Sequence, residues 1–397
     1  MKTIFYKIYK HLTLKGFKNF NEIPNVDDWR PFINNLPKPI TSLQRSLNKY
    51  HCRMYYFGFL YKLLINIAAI GAIIVKVLPT FIHYNPVITK VEADAVLVED
   101  FSVDYHDILP EDLKRYSKTV IVKNQRSKFQ ITNEAKTLFI SIWKKNLYKP
   151  HFVYWAFREL AFFSELVDVH SPKAIIVYVN ERNAISPILK EYLESKKVKF
   201  ITFMHGDYIL QLIQGFMDFS EFYVWDAHYI EMFINDLHCP PDQFKVYLPK
   251  KLTKKFDNSN EVIDLTYFFG SESDLTVKRL SKLFREFKAK GLKCRVRPHP
   301  RRQNRLIERC FDKDQIEDTQ NMPIKKSIEQ SKYIVALNST VLLEAYHGGK
   351  KVIIDDWTDR NAFLSIQERK SIMLSKPHLL LSDYIKNNLE RDGRSID

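Results

Sequence analysis

The chain has 397 residues, 45% apolar and 14% aromatic. A single core stops growing at roughly 250 to 300 residues, so two domains are expected. Ten glycines, 17 prolines and no internal repeat exclude fibrous and low-complexity classes. A net charge of +15 calls for an anionic partner, and Cys52, Cys239, Cys294 and Cys310, with no C-x-x-C spacing, indicate neither a disulfide framework nor a zinc site.

The charge is concentrated at the start. Residues 1–90 hold 13 Lys/Arg against Glu22, Asp27 and Asp28, and no acid occurs between Asp28 and Glu92. The opening "MKTIFYKIYKHLTLKGFKNF" is basic and lacks the apolar core and cleavage site of a signal peptide, so a cytoplasmic protein is expected. Tyr50, Tyr55, Tyr56, Phe57, Phe59 and Tyr61 then lead into the apolar run Leu63–Val75. That run falls short of the about 20 residues a bilayer span requires, and extending it to Ile82 would bury Lys76 and Pro79. No transmembrane helix is expected.

Basic residues interleaved with aromatics beside an apolar helix suit an anionic membrane surface. A core helix with solvated basic flanks is the alternative. No nucleic-acid module is present, and nucleic acid is not expected as a partner. Residues 1–92 read as a basic helical segment, 93–255 as one Rossmann-like domain and 256–397 as a second.

From about residue 94, short apolar runs alternate with helical patterns. "ADAVLVED" (94–101), "KTVIVKN" (118–124), "KAIIVYVNE" (173–181), "KFITFMHGD" (199–207), "EFYVWD" (221–226) and "FKVYLP" (244–249) read as strands. Helices are expected over 152–171 and 186–196. The polar stretch 250–262 is the linker candidate. A second series follows, with strands at 264–270, 292–297, 315–318, 333–338 and 350–355 and helices at 276–290, 304–311, 323–331 and 339–347. Gly348-Gly349 supplies a helix stop. The fold class is therefore α/β, with two parallel, doubly wound sheets facing a cleft and ligands beyond the carboxyl ends of the strands.

Three strand ends in the second half carry candidate chemistry. The first is "FFGSESD", with Gly270, Ser271, Glu272 and Asp274. The second is "CRVRPHPRR", where Pro298 and Pro300 hold His299 beside Arg301 and Arg302. The third is "LNSTVLLEA", with Asn338, Ser339 and Thr340 at a strand-to-helix junction and Glu344 one turn along. Ser339-Thr340 reads either as an ordinary N-cap or as a phosphate site, since unpaired amides and the helix dipole both favour an anion. An oriented His299 donates to phosphate and offsets charge on a leaving nucleotide. In the first half, Glu181 and Arg182 in "VNERN" and His205, Gly206 and Asp207 in "MHGDY" are second candidates. Asp226 with His228, and the acids of "IIDDWTD", invite a metal reading, but no third ligand is placed and no metal is expected.

"RPHPR" followed by "KYIVALNSTVLLEAYHGGKKVIID" resembles the nucleotide-binding half of bacterial GT-B glycosyltransferases that use CMP-activated sugars, the sialyltransferases and polysialyltransferases with H-P and S-S/S-T motifs. The resemblance covers about residues 264–356. It implies that His299, Ser339 and Thr340 hold the CMP phosphate and that Glu272 or Asp274 deprotonates the acceptor hydroxyl. It further implies transfer of a sialic or related ulosonic acid onto a surface glycan at the inner membrane face, with no cofactor besides the donor. CDP-glycerol glycerophosphotransferases share the H-P and S-S layout, so glycerophosphate transfer is the alternative. A non-catalytic scaffold for polysaccharide assembly is the third reading.

Overall fold

The computed structural model describes residues 25–82, 90–99, 105–123, 131–270, 272–299 and 305–389. These form two compact units, one from the described parts of Met1–His205 with Gln211–Tyr247, the other from Gly206–Leu210 with the described part of Leu248–Asp397.

The first unit holds a parallel sheet in the order β2-β1-β3-β4-β5-β6. Its strands are β1 (Ala95–Glu99), β2 (Thr119–Lys123), β3 (Ala174–Tyr178), β4 (Lys199–Phe203), β5 (Glu221–Val224) and β6 (Phe244–Val246). The central strands "AIIVY" and "FITF" are buried on both faces, as helix-covered parallel strands must be. Edge strand β2 instead alternates in and out, which leaves Ile121 exposed. The Pro150–His170 helix is apolar almost all round and buries Phe152, Phe157, Leu160 and Phe163. Glu221 sits among Lys199, Arg115 and Lys245 at 2.6 to 3.0 Å. Burial opposes its ionisation, but these cations and Tyr223 outweigh that and hold its carboxyl at about 2.

Helices Val26–Asn34 and Ser42–Tyr55 pack within this unit, the second opened by a Thr41/Gln44 capping box. The next helix runs on through Lys76 and Pro79, past the end of the apolar run Leu63–Val75. It is α-helical over Phe59–Ala72, forms a π-turn over Ile73–Val77 and closes with Leu78–Ile82. The π-turn lets Leu78 N donate to Ile73 O five residues back, just before Pro79 removes a donor, and Thr80 Oγ1 donates to Lys76 O at 2.7 Å. Over Phe59–Phe81 the helix is long and apolar enough to cross a membrane by length and composition. Ile65, Ala68, Ala69, Ala72 and Val77 face inward, and the helix packs along Pro150–His170.

The second unit is a parallel sheet in the order β11-β10-β9-β7-β8. Its strands are β7 (Ile263–Phe268), β8 (Cys294–Arg297), β9 (Ser331–Ala336), β10 (Lys351–Ile354) and β11 (Leu379–Leu380). Leu265, Tyr267 and Val296 from the strands meet Leu280, Phe284 and Phe287 from the Asp274–Ala289 helix in one core. Both units are thus Rossmann-like and doubly wound, the α/β class expected. The strand expected over 315–318 is absent. A 3-10 turn, Lys313–Gln315, and a single bridge from Ile316 to Val296 stand there instead. The pairing stops there after Glu317 N donates to Val296 O at 2.9 Å, and the buried Glu317 carboxylate accepts from Arg297 at 2.9 Å, Arg295 at 3.3 Å and Ser327 at 2.7 Å.

Candidate functional site

All five strands of the second unit are parallel, so their carboxyl ends share one edge of the sheet. Strand order reverses between β7 and β9, the switch point at which open α/β sheets hold ligands.

After β7 the chain turns at Gly270, whose amide donates to Glu272 Oε2 at 2.5 Å. A Cβ at Gly270 would lie 3.8 Å from Asn338 O, so the ends of β7 and β9 converge there. Ser339 caps the Thr340–His347 helix, its Oγ accepting from Val341 N at 3.3 Å. Thr340 Oγ1 accepts from Asp207 N at 3.4 Å, and Gly206 lies against the same hydroxyl. Each hydroxyl therefore receives an amide and keeps its own O–H to donate. Two such donors at a helix N-terminus suit a phosphate. Glu344 is buried on the same helix, 3.9 Å from Lys251 Nζ. The sequence alone did not single out Lys251, since it stands in a run of lysines.

The two candidate acids differ in setting. Glu272 is half-buried and turned back onto the end of β7, whereas Asp274 is exposed in the first turn of the Asp274–Ala289 helix. Ser273 caps that helix, its Oγ accepting from Thr276 N at 3.2 Å. His299 is exposed at the end of β8, beside half-buried Pro298. Arg295 and Arg297 of the same motif turn away to Glu317. Ser271, Pro300, Arg301 and Arg302 lie outside the described residues.

The acids of "IIDDWTD" are occupied by protein donors. Asp355 is fully buried and accepts from Tyr267 Oη at 2.8 Å, Thr358 N at 2.9 Å, Trp357 N at 3.1 Å and Thr358 Oγ1. Burial pushes its carboxyl up against these bonds. Asp356 accepts from Ser382 N and Oγ at 2.9 and 2.6 Å. Asp226 caps the Ala227–Asn235 helix through His228 N. Among the described residues no three His, Cys, Asp or Glu side chains gather as metal ligands.

In the first unit, β3 is followed at once by Val179, a β-branched residue held at φ 58°, a conformation that costs energy and recurs at functional sites. Glu181 follows, 2% exposed, with Oε1 lacking a hydrogen-bond partner and 3.6 Å from Arg182 Nε. Arg182 reaches Gln211 Oε1 at 3.4 Å. His205 is half-buried after β4. The turn is held from below by Lys49, which the sequence reading passed over. Its buried ammonium donates to Glu181 O at 2.7 Å, Gly215 O at 3.2 Å and Ile213 O at 3.3 Å. Burial pulls that ammonium down to about 8.

No protein-family model and no curated protein matches the sequence. Solved structures similar in fold include the glycotransferase of kitacinnamycin, 8% identical over 75% of this chain and 89% of that one, TM-score 0.42. A glycosyltransferase from Rickettsia africae is 14% identical over 67% and 79%, TM-score 0.36. The wall teichoic acid polymerase TagF is 9% identical over 89% of both chains, TM-score 0.39. Likeness this low speaks for neither a reaction nor a substrate.

Proposed function

We propose that the chain is an inverting GT-B glycosyltransferase that moves a CMP-activated acidic sugar, sialic acid or a related ulosonic acid, onto a surface glycan. The observation that carries this reading is the switch point of the second unit, where Gly270, Glu272, Asn338 and the hydroxyls of Ser339 and Thr340 meet. The two hydroxyls and His299 take the donor phosphate, while buried Glu344 faces the ribose in competition with Lys251. The choice of cytidine is supported by the H-P and S-T motifs alone. In the transfer, the acceptor oxygen forms a bond to the anomeric carbon as the bond to the phosphate oxygen breaks. CMP leaves with that electron pair, and Glu272 takes the acceptor proton. Catalysis needs no divalent ion in this scheme.

The enzyme works at the cytoplasmic face of the inner membrane. Leu60, Leu64, Ile67, Ile70, Ile74 and Leu78 follow one another at three- and four-residue steps, with Leu63 beside them, and all are exposed, so they form one apolar stripe. The inward face of this helix packs on Pro150–His170, which favours lying in the membrane surface over spanning it.

Purified protein incubated with CMP-, CDP- and UDP-activated donors tests the reading through nucleotide release. CMP release from CMP-sialic acid, undiminished by EDTA, is expected. CMP release from CDP-glycerol instead would establish glycerophosphate transfer, and release from a UDP-sugar alone would overturn both. His299→Ala should lower release by about 100-fold.

A further inference from the structure

Two hollows of about 240 Å³ each take His51 into their walls, each a little smaller than the roughly 300 to 1,000 Å³ of drug-sized sites and large enough for a phosphate head with the first part of a chain. One is walled by Phe32, Tyr50, Met54 and Tyr55, with Lys62 and Lys149 at its rim. The other continues between Leu36, Pro37, Pro39 and Leu47. The walls are thus largely apolar and the rim cationic. Lys62 and Asn66 stand on the helix that carries the exposed apolar stripe, and Leu147 and Tyr148, both strongly exposed, adjoin Lys149.

The rim is short of negative charge, with no acid between Asp28 and Glu92 in the segment that supplies Lys62. His51 reports the same field. Burial, and then the positive charge of Lys149 and Lys62, holds its imidazole down to about 4. Lys62 lines the hollow, and Lys149, whose Nζ donates to Tyr148 Oη at 2.9 Å, stands at its edge; two cations beside aromatic walls suit a ligand with an anionic head and an aliphatic body. The stripe beside it places that ligand's source in a membrane.

We infer that this hollow binds the phosphate-bearing end of a single lipid, the phosphate between Lys62 and Lys149 and the chain against Phe32, Tyr50, Met54 and Tyr55. A carrier-lipid phosphate and a membrane phosphatidic acid share that chemistry. As a lipid-phosphate site the hollow stands on its own residues; as the seat of a lipid-linked acceptor it rests on the transferase reading.

The test uses the full chain with no sugar donor, so a failed nucleotide-release assay leaves its result intact. Binding of farnesyl phosphate, dihexanoyl phosphatidic acid, dihexanoyl phosphatidylcholine and inorganic phosphate is measured by calorimetry below any micelle concentration. At least one of the two lipid phosphates should bind roughly tenfold more tightly than either phosphatidylcholine or inorganic phosphate. Preference for farnesyl phosphate identifies a carrier lipid, and the reverse identifies a membrane phospholipid. Lys62→Gln with Lys149→Gln should remove that advantage while circular dichroism stays unchanged. In the unaltered protein, the bound lipid phosphate should raise the His51 titration seen by NMR. Equal binding of inorganic phosphate, equal binding of phosphatidylcholine, or an unmoved His51 titration would each overturn the inference.

Discussion

Glu272 is assigned two tasks, holding a loop and taking a proton. One carboxylate oxygen takes the Gly270 amide at 2.5 Å. Glu272→Gln preserves an acceptor for that amide but removes the base. Turnover should fall by about 10² to 10⁴ with the melting temperature unchanged, and full activity in this variant would end the assignment. The Gly348-Gly349 pair divides its labour differently. Gly349 has φ 90°, which only glycine adopts without strain, whereas Gly348 leaves room for Phe256, whose ring carbon would stand 2.1 Å from an added Cβ. Gly348→Ala should therefore cost about 1 to 3 kcal/mol in urea unfolding, as overpacking does. The sequence showed this pair as a helix stop. It could not show the ring, because Phe256 approaches from about ninety residues away.

At the scale of elements, the Ser42–Tyr55 helix acts as a clamp on the carboxyl-end loops of the first unit. Lys49 holds three carbonyls, Arg53 Nη1 donates to Arg182 O at 3.3 Å, Ser46 Oγ accepts from Ile188 N at 3.3 Å, and Arg45 reaches Asp218 at 3.5 Å. Lys49→Met would leave buried carbonyls without a donor, a loss of about 1 to 3 kcal/mol readable in the denaturant midpoint. The same region carries acid sensitivity. Burial favours neutral His51 and His151, whose imidazoles fall to about 4 and about 3 from 6.5. The unfolded chain therefore binds more protons below pH 6.5, so their stabilisation is whole above that pH and is lost as pH falls towards 4. Thermal melts from pH 7 to 4 should show this decline, and His151→Phe should flatten it. Periodicity made most elements legible, since buried parallel strands are continuous apolar runs. It failed at 315–318, where Glu317 answers two arginines from another strand, and the apolar run stopped short of Lys76, where a π-turn absorbs the proline. Arg45, Lys49 and Arg53 at four-residue spacing were a visible signal of one helical face, but charge at that spacing usually means solvent.

At the scale of the whole molecule, basic charge and exposed apolar surface coincide in the first unit. Co-sedimentation with anionic liposomes should fall several-fold when Leu60, Ile67 and Ile74 are changed to Ser, and fall again at high salt as headgroup attraction is screened. Binding unaltered by either change would remove the membrane from the picture. Legibility at this scale was uneven. The strand-end motifs of the second half were readable because glycine, proline and hydroxyl residues punctuate them, while the end of β3 was obscure because its geometry depends on a lysine about 130 residues earlier.

The short segment Gly206–Leu210 belongs with the second unit although both its neighbours in the chain belong with the first. Leu210 N donates to Arg369 O at 2.8 Å, and Asp207 N donates to Thr340. A fragment beginning at Leu248 would therefore lack the segment that donates to Thr340 Oγ1 and Arg369 O, and any single cut between the two units leaves that segment on the wrong side. Supplying residues 206–210 in trans, as a synthetic peptide, would return those two donors to the fragment.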